Sequence, residues 1–322
     1  MAVRRYLGVD IGGTAVKVGL VDEEGVVIVK SETEIDRSCK KENVMQTVTR
    51  SMRELAITND INISSLFGIG VSAPGSIDMV SGAVAKSGGN VPNFGGTKVC
   101  KILEDEFALP VSVANDGNCV ALAEAWIGAA KGSRDVLCVV LGTGIGGGII
   151  SGGNLIQGCK GYAGEIGHFL THAGGRDCAC GGKGCFEKYA ATSALVREGS
   201  EIKEEWTSGR IIFAEANAEN EEALALIDRW TDEVAFGIAG LVHIFNPEVV
   251  LIGGGVSAQE SLVILPIRRK VNELIMEDFT ENLVVKRASL GNDAGMVGAV
   301  KHLMDEQIVR TVETQPILTG DL

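Results

Sequence analysis

Apolar and polar positions alternate near the start of the chain, which is the period of a β-strand. Val16, Val18 and Leu20 form one alternating set, and Val27 and Val29 form a second. An apolar run precedes the first set, and glycine or charged residues separate the three segments. The opening therefore predicts a strand, a glycine turn, a second strand, a "DEEG" turn and a third strand.

From residue 43 the apolar positions recur three or four residues apart, which is the spacing of one helix face. This spacing predicts a helix over 43–57, and a similar pattern predicts another over 98–107. Short apolar runs predict a buried strand entering a turn at 66–75 and a strand followed by a loop at 109–118. The first half of the chain is thus a mixture of strands and helices.

The second half of the chain starts the same pattern again. Residues 135–156 predict a strand, a glycine turn, a second strand and a turn, and residues 221–245 predict a long helix. A buried strand ending in glycines is predicted at 247–257, and a final helix at 291–304. The tail beyond Ile308 has little periodicity, so we expect it to fray.

Two halves that each begin with a hairpin and a glycine-rich turn predict two related α/β domains facing one another across a cleft. A chain of 322 residues is long enough to bury a substantial core. We place the domain boundary between residues 116 and 117. The expected organisation is a small N-terminal α/β domain over 1–116, a large C-terminal α/β domain over 117–292, and a C-terminal helix at 293–306 that returns to the first domain.

The formal net charge is −13, which disfavours nucleic-acid binding because a phosphate backbone repels an acidic chain. No stretch has the charged start, apolar middle and small-residue end of a signal peptide. The most apolar run, at 136–150, is too short and too rich in glycine to span a bilayer. We therefore expect a cytoplasmic protein that binds neither membranes nor nucleic acid.

Three of the eight cysteines lie together in "DCACGGKGCFE" at 177–187. Cysteines stay reduced in the cytoplasm, so such a cluster indicates metal binding or catalysis. Cys178, Cys180 and Cys185 with His168 would form a complete tetrahedral set for a structural zinc ion, although the spacing differs from the common paired C-x-x-C pattern. His172 is an alternative imidazole ligand. The other cysteines are predicted to be packing residues: Cys39, Cys100, Cys119, Cys138 and Cys159.

Two glycine-rich segments, "DIGGT" at 10–14 and "GTGIGGG" at 142–148, lie between apolar strands. Glycines allow backbone N–H groups to approach an anion such as phosphate, although each segment alone could be an ordinary hairpin turn. Neither is predicted to precede a helix, which excludes a dinucleotide fingerprint and a P-loop. With a third run, "GGGVS" at 253–257, and with Asp10 placed to hold hydrated Mg²⁺, they predict a nucleotide held between two domains.

These motifs resemble those of the ROK family of sugar kinases, within the superfamily of actin, hexokinase and the heat-shock ATPases. The resemblance runs over roughly residues 8–300 and rests on "GVDIGGT", on "LGTGIGGGIISGGNLIQGCKGYAGEIGH" and on the cysteine block with its final glutamate. It implies two actin-like (ribonuclease H-like) α/β domains flanking a cleft, with a zinc knuckle in the second. It also implies ATP, Mg²⁺ and structural Zn²⁺ as cofactors, and a homodimer.

The resemblance implies transfer of phosphate from ATP to a hexose, usually at its 6-hydroxyl. Asp116 in "ANDGN" would be the general base, because a carboxylate that accepts the hydroxyl proton orients the attack. The implied sugar contacts are Gly75, Asn93, Asn115, Asp116, Glu165, His168 and Glu187. The implied nucleotide contacts are Asp10, Gly12, Gly13, Thr14, Lys17, Gly142, Thr143, Gly144, Gly254 and Gly255.

The same resemblance suggests why the cysteines are clustered. One nitrogen of His168 would bind zinc while the other faces the sugar, so the metal would hold His168, Glu165 and Glu187 in place. The alternative for Glu187 is a solvated glutamate at a helix start, which the helix dipole favours.

Several functional alternatives stay open to different degrees. The resemblance puts glucose or a related hexose first and N-acetylmannosamine second. After "VPNF" the chain carries "GGTK" where hexose-specific members often have a tryptophan, which weakens an assignment to glucokinases specifically. A sugar-responsive repressor is disfavoured because only about six residues precede "LGVDIGGT" and the chain is acidic. A sugar-binding protein without catalysis is disfavoured because Asp10, Thr14 and Asp116 are all present.

Overall fold

The computed structural model of the chain describes residues 3–39, 42–87 and 91–313. Within these ranges, no helix is both long enough and apolar enough to cross a membrane. The strands are β1 (Arg5–Ile11), β2 (Ala15–Asp22), β3 (Val27–Glu34), β4 (Ile69–Ala73), β5 (Ser76–Asp78), β6 (Ala83–Lys86), β7 (Val111–Asn115), β8 (Val136–Leu141), β9 (Ile145–Ser151), β10 (Asn154–Leu155), β11 (Val249–Gly253) and β12 (Val284–Arg287). The α-helices are α1 (Val44–Thr58), α2 (Val99–Phe107), α3 (Asp116–Trp126), α4 (Glu187–Ala190), α5 (Thr192–Ile202), α6 (Gly209–Asn217), α7 (Glu221–Phe245), α8 (Leu265–Leu274), α9 (Glu277–Thr280) and α10 (Ala294–Glu313).

The first large sheet has five strands in the order β3-β2-β1-β4-β7. The strand β1 pairs antiparallel with β2 and parallel with β4, which pairs parallel with β7. In this register Asp10 lies beside Ser72, and Ala73 lies beside Asn115. The carboxyl ends of three parallel strands thus meet at one edge, where open α/β sheets bind their ligands.

The second large sheet repeats this arrangement, with the order β10-β9-β8-β11-β12. The strand β8 pairs antiparallel with β9 and parallel with β11, and β11 pairs parallel with β12. Both sheets therefore consist of an antiparallel hairpin extended by parallel strands. The predicted α/β class is confirmed.

The chain divides into two compact units, which we call the first and second units. The first unit contains residues up to Ala123 and those from Asp293 onward, and the second unit is Glu124–Asn292. The predicted boundary at 116/117 lies at the first residue of α3, whereas the first unit continues to Ala123. The helix α10 belongs to the first unit. Its Ala299 lies directly over Gly70 of β4, since a Cβ on Gly70 would be 2.2 Å from the Ala299 carbonyl oxygen.

Each unit has its own apolar core. In the first unit, α1 and α2 cover the sheet with buried side chains such as Met52 and Leu103. In the second unit, Gly237 of α7 packs against Phe186, and the large side chains of Trp206 and Trp230 are buried in the same core. Burial of these large side chains is the main stabilising contribution in both units.

Two details differ from the sequence predictions. The segment expected to be a loop after the strand at 109–118 is helical from Asp116, so α3 begins directly at the end of β7. The helix α10 continues to Glu313, so the expectation that the chain frays beyond Ile308 is wrong for the first part of that tail, and residues 314–322 lie outside the described residues. In the sequence, α10 is less periodic because its first half is buried on several sides.

Candidate functional site

The carboxylate of Asp10 lies near the end of β1, at the edge of the first sheet. Ser72 donates a hydrogen bond from Oγ to Asp10 Oδ1 at 2.8 Å, and Lys17 Nζ lies 3.3 Å from Oδ2. The side chains of Lys17 and Asp10 are both largely buried. One carboxylate is therefore held from two sides by a hydroxyl and an ammonium group.

The turn after Asp10 joins β1 to β2 and so leads into a strand rather than a helix. The N–H group of Gly12 donates to the Ala15 carbonyl at 2.9 Å, and the Thr14 carbonyl accepts from Ile35 N–H at 2.9 Å. Gly12 and Gly13 are half-buried and Thr14 is exposed. The turn is thus fixed by backbone bonds at both ends and accessible at its tip.

Asn115 and Asp116 follow at the end of β7, where α3 begins. Asn115 Nδ2 donates to the Gly75 carbonyl at 3.1 Å, and the N–H of Gly117 donates to Asn115 Oδ1 at 2.8 Å and to Asp116 Oδ1 at 2.9 Å. Asp116 is exposed, in the first turn of the helix, where the dipole favours a negative charge. The amide is therefore fixed between two backbone segments beside an accessible carboxylate.

The surroundings of Cys119 show that Asp10 and Asp116, the two acidic site residues predicted in the first unit, lie near one another. It is fully buried, and burial raises the pKa of its thiol well above the ordinary range, with further increases from the charges of Asp10 and Asp116. Such a thiol stays protonated and unreactive at neutral pH. The structure thus places Asp10 and Asp116 around one buried packing residue.

The other cysteines predicted to be packing residues divide into groups. Cys138 is buried like Cys119, whereas Cys39 and Cys100 are only partly buried. Cys159 is exposed, so the packing prediction is wrong there. It follows the hairpin of the second sheet, in a segment that forms turns instead of a core-facing strand.

Two more predicted sugar contacts lie in turns of the first unit. Gly75 has a φ of +100°, and a Cβ on it would be 2.3 Å from the Lys86 carbonyl oxygen, so only glycine fits. Asn93 is exposed in the left-handed region, with a φ of 51°, between the buried Val91 and Phe94. Asparagine tolerates this conformation better than most residues.

In the second unit, the glycine turn at 142–144 joins β8 to β9. The N–H of Gly142 donates to the Gly144 carbonyl at 3.0 Å, and the Gly142 carbonyl accepts from Thr192 N–H at 2.9 Å. Gly254 lies against the adjacent strand with a φ of +89°, and a Cβ on it would be 2.1 Å from the Leu141 carbonyl oxygen. Gly255 faces open space. The two glycine runs of this unit therefore meet at the ends of β8 and β11.

A cleft of about 820 Å³ opens beside these two runs, entirely within the second unit. Gly142, Thr143 and Gly255 form part of its wall, and helices α5 and α6 supply most of the rest. The lining combines apolar side chains with a few polar ones, as small-molecule sites do. Sequence reasoning missed the residues that the helices and the turn after β11 contribute, chiefly Thr192, Val196, Arg210, Phe213, Asn217 and Gln259.

The second unit also contains a compact group of four potential metal ligands. His168, Cys178, Cys180 and Cys185 each offer one atom, and these atoms all lie within 4.8 Å of one another. The distance from Cys178 Sγ to His168 Nδ1 is 3.6 Å, and that from Cys180 Sγ to Cys185 Sγ is also 3.6 Å. Zinc–sulfur bonds of about 2.3 Å at tetrahedral angles place two thiolates about 3.8 Å apart. The donor set and its spacing fit zinc.

The surroundings of these ligands support the same assignment. Burial raises the pKa of the Cys178 thiol to about 12, so a bound cation is what would make it a thiolate at neutral pH. The alternative ligand His172 lies elsewhere: its ring stacks on Tyr189, and its Nε2 is 3.6 Å from Glu233. His168 is the imidazole of this group.

The carboxylates of Glu165 and Glu187 adjoin the four ligands. Glu187 Oε1 is 3.1 Å from Cys178 Sγ, and Oε2 is 2.7 Å from the position of a Cβ on Gly144. Loss of hydration raises the pKa of Glu165, while His168 lowers it and the charge of Glu187 raises it further. Glu187 therefore touches both the metal ligands and the glycine turn.

The predicted site residues thus form two groups, one in each unit. In the first unit, Asp10 and Asp116 lie around Cys119, and Asn115 is bonded to Gly75. In the second unit, the glycine runs adjoin the cleft, and Glu187 connects them to the metal ligands.

The family model, the similar sequences and the similar structures all indicate one family of proteins. The model of the ROK family matches residues 6–306. A glucokinase from Halalkalibacterium halodurans is 33% identical over 315 residues, which cover 92% of this chain and 94% of that protein.

Two solved structures are similar over nearly their whole length. One is a ROK family glucokinase from Streptomyces griseus in complex with glucose and AMPPNP, with a TM-score of 0.79 and 30% identity, covering 94% of this chain and 99% of that one. The other is a Listeria monocytogenes protein described as a candidate N-acetylmannosamine kinase, with a TM-score of 0.79, 31% identity and the same two coverages.

Proposed function

This chain belongs to the ROK family, and from that premise we propose that it is an ATP-dependent kinase of glucose or a related hexose. The reaction transfers the γ-phosphate of ATP to the 6-hydroxyl of the sugar. The Streptomyces griseus relative was solved with glucose and an ATP analogue, which supports both substrates.

The observation that carries this proposal is the cleft beside the two glycine runs of the second unit. Its volume of about 820 Å³ is suited to a nucleoside, and its wall includes Gly142, Thr143 and Gly255. Exposed backbone N–H groups of such turns bind phosphate oxygens. The nucleotide is therefore assigned to this cleft, with Gly144 and Gly254 shaping the turns. Gly12, Gly13 and Thr14 supply the second phosphate turn.

The chemistry of the acceptor hydroxyl is assigned to Asp116. Phosphoryl transfer needs positioning and charge stabilisation more than covalent catalysis by the protein. An exposed carboxylate at the start of α3 accepts the proton of the sugar hydroxyl as it attacks. Asn115, which is fixed by Gly75 and Gly117, orients the sugar beside it. Asn93 and Gly75 are assigned to the same sugar.

The remaining sugar contacts are assigned to Glu165, His168 and Glu187. His168 presents Nδ1 to the cysteine ligands, which leaves Nε2 for a sugar hydroxyl. A structural zinc ion held by His168, Cys178, Cys180 and Cys185 would fix the orientation of that ring. The metal takes no part in the chemistry, since four protein ligands leave no open position.

Asp10 is assigned to Mg²⁺, which neutralises the charge of the ATP phosphates when bound. A carboxylate at the edge of a sheet holds hydrated Mg²⁺ in many phosphotransferases. Lys17, 3.3 Å from Asp10, adds a positive charge at the same edge.

N-acetylmannosamine is the second candidate acceptor. The similarity to the Listeria monocytogenes structure favours it, as does the "GGTK" segment, which stands where hexose-specific members often have a tryptophan. The two candidates differ at the 2-position of the sugar. We also propose a cytoplasmic homodimer, as the family resemblance implies, which size-exclusion chromatography with light scattering would test.

A coupled assay of ADP release with Mg·ATP tests the proposal. A panel of hexoses and N-acetylhexosamines would be compared, and phosphorylation of glucose or a related hexose is the expected result. Preference for N-acetylmannosamine would select the second candidate. If no sugar of the panel stimulated ADP release, both candidate acceptors would be contradicted.

A further inference from the structure

Ser72 contacts Asp10 but lies outside the motifs that indicated the nucleotide site. It is fully buried in β4, the strand between β1 and β7 in the first sheet. A buried hydroxyl is costly unless it makes a hydrogen bond. Its Oγ donates to Asp10 Oδ1 at 2.8 Å. The polar residue in this apolar strand therefore has a specific partner.

The same carboxylate oxygen is bounded on another side by α10. Gly295 lies in the first turn of that helix, and a Cβ on it would be 2.5 Å from Asp10 Oδ1. The backbone of a helix N-terminus carries a partial positive charge, which attracts a carboxylate. Oδ1 is thus enclosed between Ser72 and α10, while Oδ2 faces Lys17 at 3.3 Å.

We propose that Ser72 is a positioning residue whose hydroxyl holds Oδ1 of Asp10 and so fixes the carboxylate for Mg·ATP. This inference rests on the proposed function, in which Asp10 serves Mg²⁺. Hydrogen bonds to a metal-binding carboxylate fix its direction, and their loss typically lowers metal affinity or activity. Ser72 itself, being fully buried, does not touch the substrates.

A merely structural role for Ser72 is the competing explanation, and Ser112 provides a matched control. Ser112 is buried in the neighbouring strand β7, and its Oγ lies 3.2 Å from His302 Nδ1. Replacing either serine with alanine removes one buried hydroxyl from the same sheet. Of these two serines, Ser72 is the one that donates to Asp10.

The test measures ATP binding by isothermal titration calorimetry, once with Mg²⁺ and once with a chelator. For Ser72→Ala we expect Mg·ATP affinity to fall about tenfold or more, with metal-free ATP changed by no more than about twofold. Ser112→Ala should change neither. Ser72→Thr keeps a hydroxyl and should restore part of the Mg·ATP affinity. The sugar-dependent kcat is measured in parallel.

Each outcome decides the inference. Mg·ATP binding and kcat equal to wild type in Ser72→Ala would overturn it, as would equal losses in Ser72→Ala and Ser112→Ala. If Ser72→Ala does not fold, Gly295→Ala crowds the same oxygen from the helix side, and unchanged Mg·ATP affinity in that variant overturns the inference. A wild-type protein that binds no Mg·ATP would refute the proposed function and this inference with it.

Discussion

The two large sheets share one strand order, yet the hairpin turns that open them have different surroundings. In the first unit, Asp10 at the start of the turn is paired with Lys17. A second charged side chain, Asp116, lies with Asp10 near the buried Cys119. The corresponding turn in the second unit, Gly142–Gly144, adjoins a mostly apolar cleft whose lining includes Arg210, and the carboxylate of Glu187 lies against Gly144. One topology therefore supports two kinds of site, and the difference comes from side chains that neighbouring elements bring to each turn.

Under the proposed function, the first unit carries the proton and magnesium chemistry and the second unit binds the nucleoside. The proposed function also gives the second unit a part in sugar binding, through Glu187, which touches both Cys178 and the position beside Gly144. Substitution of Asp116 in the first unit should therefore act mainly on kcat. Substitutions beside the cleft of the second unit should act mainly on nucleotide affinity.

The largest effect is expected at Asp116. Asp116→Asn keeps the shape of the side chain but removes the proton acceptor, so turnover should fall at least ~10²-fold while sugar affinity changes less. Steady-state kinetics and sugar titration measure the two quantities. Near-normal turnover would remove Asp116 from the role of general base.

Loss of the metal should affect the use of the sugar but not the binding of ATP. Cys180→Ser should release the zinc, because a hydroxyl is a much poorer ligand than a thiolate. Sugar phosphorylation should fall at least about tenfold, as for loss of groups that orient a metal site, while ATP binding survives.

Cys159→Ser is the control for that experiment, since Cys159 is exposed and lies outside the four-ligand group. Metal analysis should find about one zinc per chain in this control and in wild type, by the four-ligand rule. Full kinase activity in zinc-free protein purified without chelator would contradict the prediction.

Gly254 and Gly255 provide a matched pair at the edge of the cleft. Gly254→Ala places a Cβ on a residue with a positive φ and against the Leu141 carbonyl oxygen. The free energy of unfolding should therefore fall by roughly 1–3 kcal/mol, and ATP affinity by about tenfold. A Cβ at Gly255 meets no protein atom, so Gly255→Ala should change the free energy of unfolding much less. Calorimetry measures ATP affinity and thermal denaturation measures stability, and equal losses of stability in the two variants would refute the argument.

The smallest effect concerns His302 in α10, which is buried beside Ser112 and has Glu306 3.9 Å from its Nε2. Burial lowers the pKa of His302 below its ordinary value of 6.5, although Glu306 and Asp305 oppose this. Below pH 6.5 His302 therefore binds a proton more readily in the unfolded chain than in the folded protein. Stability should therefore fall as the pH drops below about 6.5, by at most about 1.4 kcal/mol per pH unit.

Chemical denaturation at a series of pH values measures this slope. His302→Gln should flatten it, and His243→Gln, which changes an exposed histidine of α7, should leave it in place. A slope that persists in His302→Gln would assign it to other groups.

The sequence predicted those features that depend on local patterns. The helix α7 has the predicted bounds 221–245, because its apolar stripe is long and is bounded by Asn caps. Hairpins with glycine turns were equally visible. The tail beyond Ile308 was expected to fray, but α10 continues to Glu313, and its contacts with the apolar cluster of the first sheet come from Met296, Val300 and Leu303 earlier in the helix.

The lining of the cleft could not be predicted. Thr192, Arg210 and Gln259 come from separate elements with no motif around them, and only the packing of the second unit brings them together. Ser72 left a weak signal, since a serine interrupts the apolar run "GIGVSAPG". Its partner, however, lies on another strand and could be identified only from the structure.

The division of the first unit into two chain segments affects how the protein is made. The second unit is continuous, so it can fold as soon as the ribosome has released it. The first unit, although its first segment is translated earlier, lacks α10 until the residues after the second unit have been made, and Gly8, Gly19 and Gly70 stay uncovered on its sheet until Met296 and Ala299 arrive. Messages truncated before α10 should therefore yield nascent chains with one folded unit and a persistent demand for chaperones.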